Sequence, residues 1–318
     1  MIRRSGAATA ALFSRFVAYL VIVACIGALP SGGAAAQERL KVVATTTDLR
    51  SLVEEVGGSR VEAISLVPSA VDAEEYQPKP QDIARLQDAR LLVRVGLDFD
   101  LWVDKLLTTA GNARLMRGAE GYVDASAAIA VLDVRGVSLG APAGHAHGSG
   151  NPHYWLDPKN AEVITGHILE GLARVDPEHA KIYEANRLVF LNRLDAKLRE
   201  WDARIAPVRG TPVVAYHNTW AYFARRFRID FVGFIEQKPG VPAGTAHLAA
   251  LLQMMRERRV RLIVRQPLEP QRDAAFLAQR TDAKVVVLAA SVGALPATGD
   301  YFSLFDTNVA ALVAAVSP

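Results

Sequence analysis

Residues 176–205 carry the longest uninterrupted helical pattern in the chain, and a helix of that length limits what the rest can build. Asp176 is placed to act as an N-cap, Pro177 sits where a missing N–H costs nothing, and Pro207 supplies a stop. Between them Tyr183, Phe190, Leu191, Leu194, Leu198, Trp201 and Ile205 recur at spacings of three and four. Lys181, Glu184, Arg187, Arg193, Lys197 and Glu200 fill the other positions, so one face is apolar and the other wet. A helix of this length spans roughly 45 Å, longer than a small domain is wide. It is expected to brace two lobes.

On both sides of this rod the pattern alternates strand and helix. Residues 40–44, 61–67 and 90–95 read as β-branched strands, with helical spacing over 48–56, 81–88 and 101–107. Beyond the rod, 212–216, 231–235, 262–264 and 285–288 repeat the strand signal, with helices at 246–257, 270–279 and 305–316. The expected fold class is α/β: two lobes, each with a mostly parallel sheet flanked by helices, joined by one long rigid helix. The expected divisions are 37–175, 176–206 and 207–318, after an N-terminal segment of residues 1–36. A short loop at 139–150, rich in Gly, Ala, Pro and His, interrupts the first lobe.

Residues 1–36 have the layout of a secretory signal peptide: Arg3, Arg4 and Arg15, then an apolar run to Leu29, then Ala34-Ala35-Ala36. The run is shorter than the ~20 residues that span a bilayer. Ile22-Val23-Ala24-Cys25 also resembles a lipoprotein cleavage box, weakened by the apolar residues that continue past Cys25. Removing this segment lowers the formal charge from +3 to zero, so nothing favours nucleic acid as a partner. Cys25 is the only cysteine, which leaves the exported part to be held by core burial rather than disulfides.

Chemistry is concentrated in a few loops. His153 lies in Asn151-Pro152-His153-Tyr154-Trp155-Leu156-Asp157-Pro158, just ahead of a helix with Asp157 as cap. His217 ends an expected strand, at the edge where parallel sheets collect ligands. Glu74 and Asp300 occupy loops after the second and last strands. Four N and O donors from four strand-end loops, two in each half, are therefore candidates to meet between the lobes.

These residues also carry a resemblance. The chain resembles the substrate-binding proteins of bacterial zinc/manganese ABC importers over nearly all of residues 39–316. That family's first ligand motif reads Val-Asp-Pro-His, an aromatic, then Glu-Pro-x-Pro, and Val71-Asp72-Ala73-Glu74-Glu75-Tyr76-Gln77-Pro78-Lys79-Pro80 matches it in register, with Glu74 where the family has His. The second motif, Asp-Pro-His-x-Trp-Leu-Asp-Pro, falls on residues 151–158 and assigns His153; Tyr216-His217 with Tyr222-Phe223-Ala224 matches the third. Gly299-Asp300-Tyr301-Phe302 resembles the C-terminal ligand segment, with Asp306 as a second candidate. His145 and His147 lie where zinc-selective relatives carry a longer His-rich loop.

The resemblance implies a periplasmic protein that binds a divalent transition metal ion as cargo and passes it to an ABC-transporter membrane permease, working as a monomer and not as an enzyme. Two imidazoles and two carboxylates suit Zn²⁺ in a four-coordinate site and also admit Mn²⁺, with Zn²⁺ favoured. The rival reading is a metal-dependent hydrolase, which needs an open position for water on the ion.

Overall fold

The computed structural model describes residues 38–69, 71–132, 150–237 and 241–317. The expected signal segment, Cys25, His145 and His147 lie outside these residues. Among the described residues, no helix is long and apolar enough to cross a membrane.

The described residues from Arg39 onward form one compact unit containing two four-stranded sheets. The first has the order β2-β1-β3-β4, from β1 (Leu40–Ala44), β2 (Val61–Ser65), β3 (Leu91–Arg94) and β4 (Tyr122–Asp124). The second repeats it as β6-β5-β7-β8, from β5 (Pro212–Ala215), β6 (Asp230–Phe234), β7 (Leu262–Arg265) and β8 (Lys284–Val287). Every pairing is parallel. Seven of the eight strands were expected; β4, only three residues long, is too short to show a periodicity of its own.

The central strands explain how the lobes are fused. In β1 the side chains of Val42 and Ala44 enter one core while Val43 enters another, and in β5 Val213 and Ala215 likewise part from Val214. This is the period-two alternation of a strand buried on both faces. The outer faces carry separate cores, under α2 (Pro80–Asp88) and α3 (Trp102–Ala110) in the first lobe and α7 (Thr245–Glu257) and α8 (Gln271–Ala278) in the second. The inner faces share a single core with α1 (Thr47–Gly57), α4 (Ala161–Val175), α5 (Ala180–Arg204), α6 (Ala221–Phe227) and α9 (Tyr301–Val316). One hydrophobic body therefore runs through both lobes.

The long rod is α5, of 25 residues, entered through a 3-10 turn at Pro177–His179 and about 37 Å long as an α-helix. Tyr183, Phe190, Leu194, Leu198, Trp201 and Ile205 are buried as the spacing predicts, and Leu191 is half-buried. Each large buried side chain is worth about 1.5–3 kcal/mol. The helix packs on α1 and α4 of the first lobe and α9 of the second. Arg193 shows the bridging in one side chain: it pairs with Glu55 on α1 at 3.4 Å and lies 3.8 Å over the ring of Phe302 on α9. Asp176 does not cap the backbone as expected. Its carboxylate takes His179 Nδ1 at 2.8 Å and the Tyr183 hydroxyl instead, because the 3-10 turn carries the chain past it.

The start of α1 is capped by the Thr46 hydroxyl, which accepts the Leu49 N–H. Asp48 is fully buried and accepts the Val292 N–H of the second lobe at 2.9 Å. Beside it, the Tyr301 N–H donates to the Ser51 hydroxyl at 3.0 Å.

Candidate metal centre

The loops at the C-terminal ends of both sheets face one another around a cavity of about 540 Å³. Glu74, His153, His217, Glu236 and Glu269 line it, with Phe99 and Trp155 among its apolar walls. Ligands collect at this edge in open α/β sheets.

Each polar side chain is mounted by its neighbours. The loop after β2 turns at Asp72, whose carboxylate accepts the Glu74 N–H at 2.8 Å, and Trp102 on α3 anchors it by donating to the Ala73 carbonyl at 3.1 Å. His153 begins a 3-10 turn, Tyr154–Leu156, tied to both lobes. The Tyr154 hydroxyl donates to the Val95 carbonyl at 2.8 Å, and the Trp155 indole N–H to the Ala290 carbonyl at 2.9 Å. His217 lies two residues past the end of β5, and the intervening Tyr216 is held as its N–H donates to the Val264 carbonyl at 2.8 Å. Glu236 is carried on the end of β6, where its N–H donates to the Tyr216 carbonyl at 2.9 Å.

The two imidazoles have their proton positions decided by these mounts. Asn151 donates its amide to the Asn218 carbonyl at 3.0 Å, which turns its carbonyl oxygen toward His153. That oxygen lies 3.0 Å from His153 Nδ1, so Nδ1 carries the hydrogen and Nε2 presents the lone pair. His153 Nε2 is 3.1 Å from Glu74 Oε1. Two such lone pairs face each other only across a proton or a cation. On the other side His217 Nδ1 is 2.7 Å from Glu236 Oε2, which assigns Nε2 of that ring as the donor to an ion.

The rings of His153 and His217 stand 6.1 Å apart, centre to centre. Two imidazoles on one Zn²⁺, with Zn–N of ~2.0–2.1 Å, hold their ring centres about 5–6 Å apart. A small inward movement thus brings both onto one ion. Among the described residues no three His, Cys, Asp or Glu side chains already stand together at metal-ligand spacing; each imidazole is paired with its own carboxylate instead.

The electrostatics favour a cation. Burial opposes the charged form of His217, but the hydrogen bond to Glu236 and the charges of Glu74, Glu236 and Glu269 outweigh it and raise its pKa. Burial pushes the Glu269 carboxyl up to about 7, partly offset by the Gln266 N–H and by His217.

The structure brings Glu74, His153 and His217 to one cavity and takes Asp300 elsewhere. Asp300 is the N-cap of α9, with Oδ1 accepting the Phe302 and Ser303 N–H groups at 2.8 and 2.9 Å, and it does not line the cavity. The second candidate, Asp306, faces α5, where it accepts from the Trp201 indole at 2.7 Å and from Lys197 at 3.0 Å. Sequence reading missed Glu236 and Glu269. Each follows an expected strand, which is the signal that singled out His217, but neither carries a residue type as distinctive as histidine.

Two parallel-sheet lobes fused through one helical core, with paired imidazoles and carboxylates in the cleft between them, define a two-lobe metal-binding protein. The chain belongs to the family described as zinc-uptake complex component A, periplasmic, whose model matches residues 42–315. It is 28% identical over 258 residues to a putative metal-binding protein of Treponema pallidum (strain Nichols), covering 78% of each chain. It is also 24% identical over 255 residues to the manganese ABC transporter substrate-binding lipoprotein PsaA of Streptococcus mitis, again 78% of each. The crystal structure of ZnuA has the same fold, with a TM-score of 0.74 and 23% identity over 88% of this chain and all of that one.

Proposed function

We propose that this protein captures a divalent transition metal ion, Zn²⁺ in preference to Mn²⁺, in the cleft between its lobes and hands it to the membrane permease of an ABC importer. Glu74, His153 Nε2 and His217 Nε2 are its ligands. The observation that carries this reading is the orientation of the two histidines: Asn151 and Glu236 occupy both Nδ1 positions, so both Nε2 nitrogens are the metal-binding ones. Imidazole suits a borderline-soft ion, while the carboxylates cancel its charge and make burial tolerable. Membership of a zinc-uptake family supports zinc, and the PsaA relative keeps manganese as the competitor to test.

The protein acts as a monomer, each chain carrying a complete cleft. Elemental analysis of protein purified without chelators should find close to one equivalent of transition metal. Competition should show zinc displacing manganese, and light scattering should give the mass of a single chain. A protein that purifies without metal and binds neither ion at micromolar concentration would end this reading.

A further inference from the structure

The site as expected from sequence needs a second carboxylate, and Asp300 is committed to a helix terminus. Among the described residues, five carboxylates besides Glu74 line the cavity. Asp72 and Glu75 are exposed, and Asp273 pairs with Arg272 at 3.0 Å. Glu236 is engaged in orienting His217. Glu269, in the loop after β7, is left.

Its mounting is that of a ligand. The Gln266 N–H donates to Oε2 at 2.5 Å and the Gln266 amide to Oε1 at 3.1 Å, so both oxygens are located. The same Gln266 amide also donates to the Thr219 hydroxyl at 2.9 Å, fixing the support from the His217 side of the cleft. Each oxygen accepts one neutral hydrogen bond and retains a second lone-pair direction. The carboxylate lies within electrostatic reach of His217, and among the described residues no Lys or Arg forms an ion pair with it. Arg265, its basic neighbour, donates to the Gln266 and Glu269 backbone carbonyls instead. A buried carboxylate without a cationic partner is costly, and a metal ion supplies that partner.

We infer that Glu269 is the fourth donor of the metal site, so that the second carboxylate comes from the loop after β7 and not from the loop before the last helix. The inference rests on the proposal that the cleft binds a divalent ion. With Glu74 and Glu269 as the two anionic donors and two neutral imidazoles, a divalent cation is neutralised within the first coordination sphere.

Four variants of the full chain test it: Glu269→Ala, Glu269→Asp, Asp300→Asn and His153→Ala. Zinc affinity is measured by competition with a chromophoric chelator, and coordination by the visible spectrum of the Co²⁺-loaded protein. Glu269→Ala should weaken zinc binding at least a hundredfold and alter the Co²⁺ bands. Glu269→Asp, which retains the charge but sets it back by one methylene, should weaken it less and also move the bands. Asp300→Asn, which keeps an N-cap oxygen, should stay within threefold of the parent. The assignment is overturned if both Glu269 variants keep the parent affinity and spectrum while His153→Ala loses binding, or if Asp300→Asn is the variant that loses it. Unchanged binding in His153→Ala would instead dismiss the cleft as the metal site and Glu269 with it. Should Glu269→Ala fail to fold, the Glu269→Asp spectrum decides.

Discussion

His217 Nδ1 donates to Glu236 Oε2 over 2.7 Å, and both side chains are largely shielded, at 13% and 12% exposure. The pair joins the ends of adjacent strands β5 and β6, so the imidazole is aimed by the sheet itself. Carboxylates in this position fix the tautomer and raise the basicity of a metal-binding histidine.

Removing that support should loosen the site without removing a ligand. Glu236→Ala is expected to weaken zinc binding about 10- to 100-fold. Glu236→Gln, which keeps an acceptor oxygen, should lose less. Titration calorimetry separates the two, and equal losses would show that the hydrogen bond is not what matters.

Metal affinity should fall on acidification. The carboxylates around His217 raise its pKa above the usual imidazole value, so protons compete for the ring at a higher pH than for a free histidine. Binding at pH 5.5 is expected to be weaker than at pH 7.5. Equal affinities at the two values would rule out imidazole ligation.

Asp48 predicts a different pH dependence, in folding. Burial raises its carboxyl from 3.8 to about 7, against smaller opposing contributions from the Val292 N–H and Arg50. Between these values the folded chain holds a proton that the unfolded chain has released. Its contribution to stability is therefore full below about pH 4, declines by about 1.4 kcal/mol for each pH unit up to about 7, and levels off above. Urea midpoints should fall more steeply between pH 5 and 8 for the parent than for Asp48→Asn. Parallel declines would assign the effect to other groups.

Gly96 turns the chain out of β3 with φ +76°, on the way to Phe99 at the cleft. A Cβ there would lie 2.3 Å from Asp124 Oδ1 and 2.7 Å from Ser126 Oγ. Gly96→Ala combines left-handed strain with overpacking, and about 1–3 kcal/mol of stability should be lost. A melting temperature unchanged from the parent would show that the loop relaxes freely.

The shared inner core and the stiff α5 leave little room for wide closure, because rotating the lobes would open packed surface around Phe190, Trp201 and Phe302. Solution scattering with and without zinc should give nearly the same radius of gyration. A gross difference would mean that the core parts between the lobes.

The amino-acid order alone determined what depends on near neighbours. The stripe from Tyr183 to Ile205, the seven strands long enough to show alternation, and the placement of Glu74, His153 and His217 in strand-end loops all follow from local spacing and turn chemistry. Which way a loop carboxylate points does not. Asp300 sits beside an expected helix, yet that helix begins at Tyr301, and the N–H groups of Phe302 and Ser303 claim its side chain. Asp48, Asp176, Glu236 and Glu269 find partners fixed by packing, from Val292 far along the chain to the Gln266 peptide three residues away. A carboxylate's role is set by the donors that reach it and the water it loses; for Asp48, whose donor Val292 belongs to the other lobe, both are decided only when the lobes fold against each other.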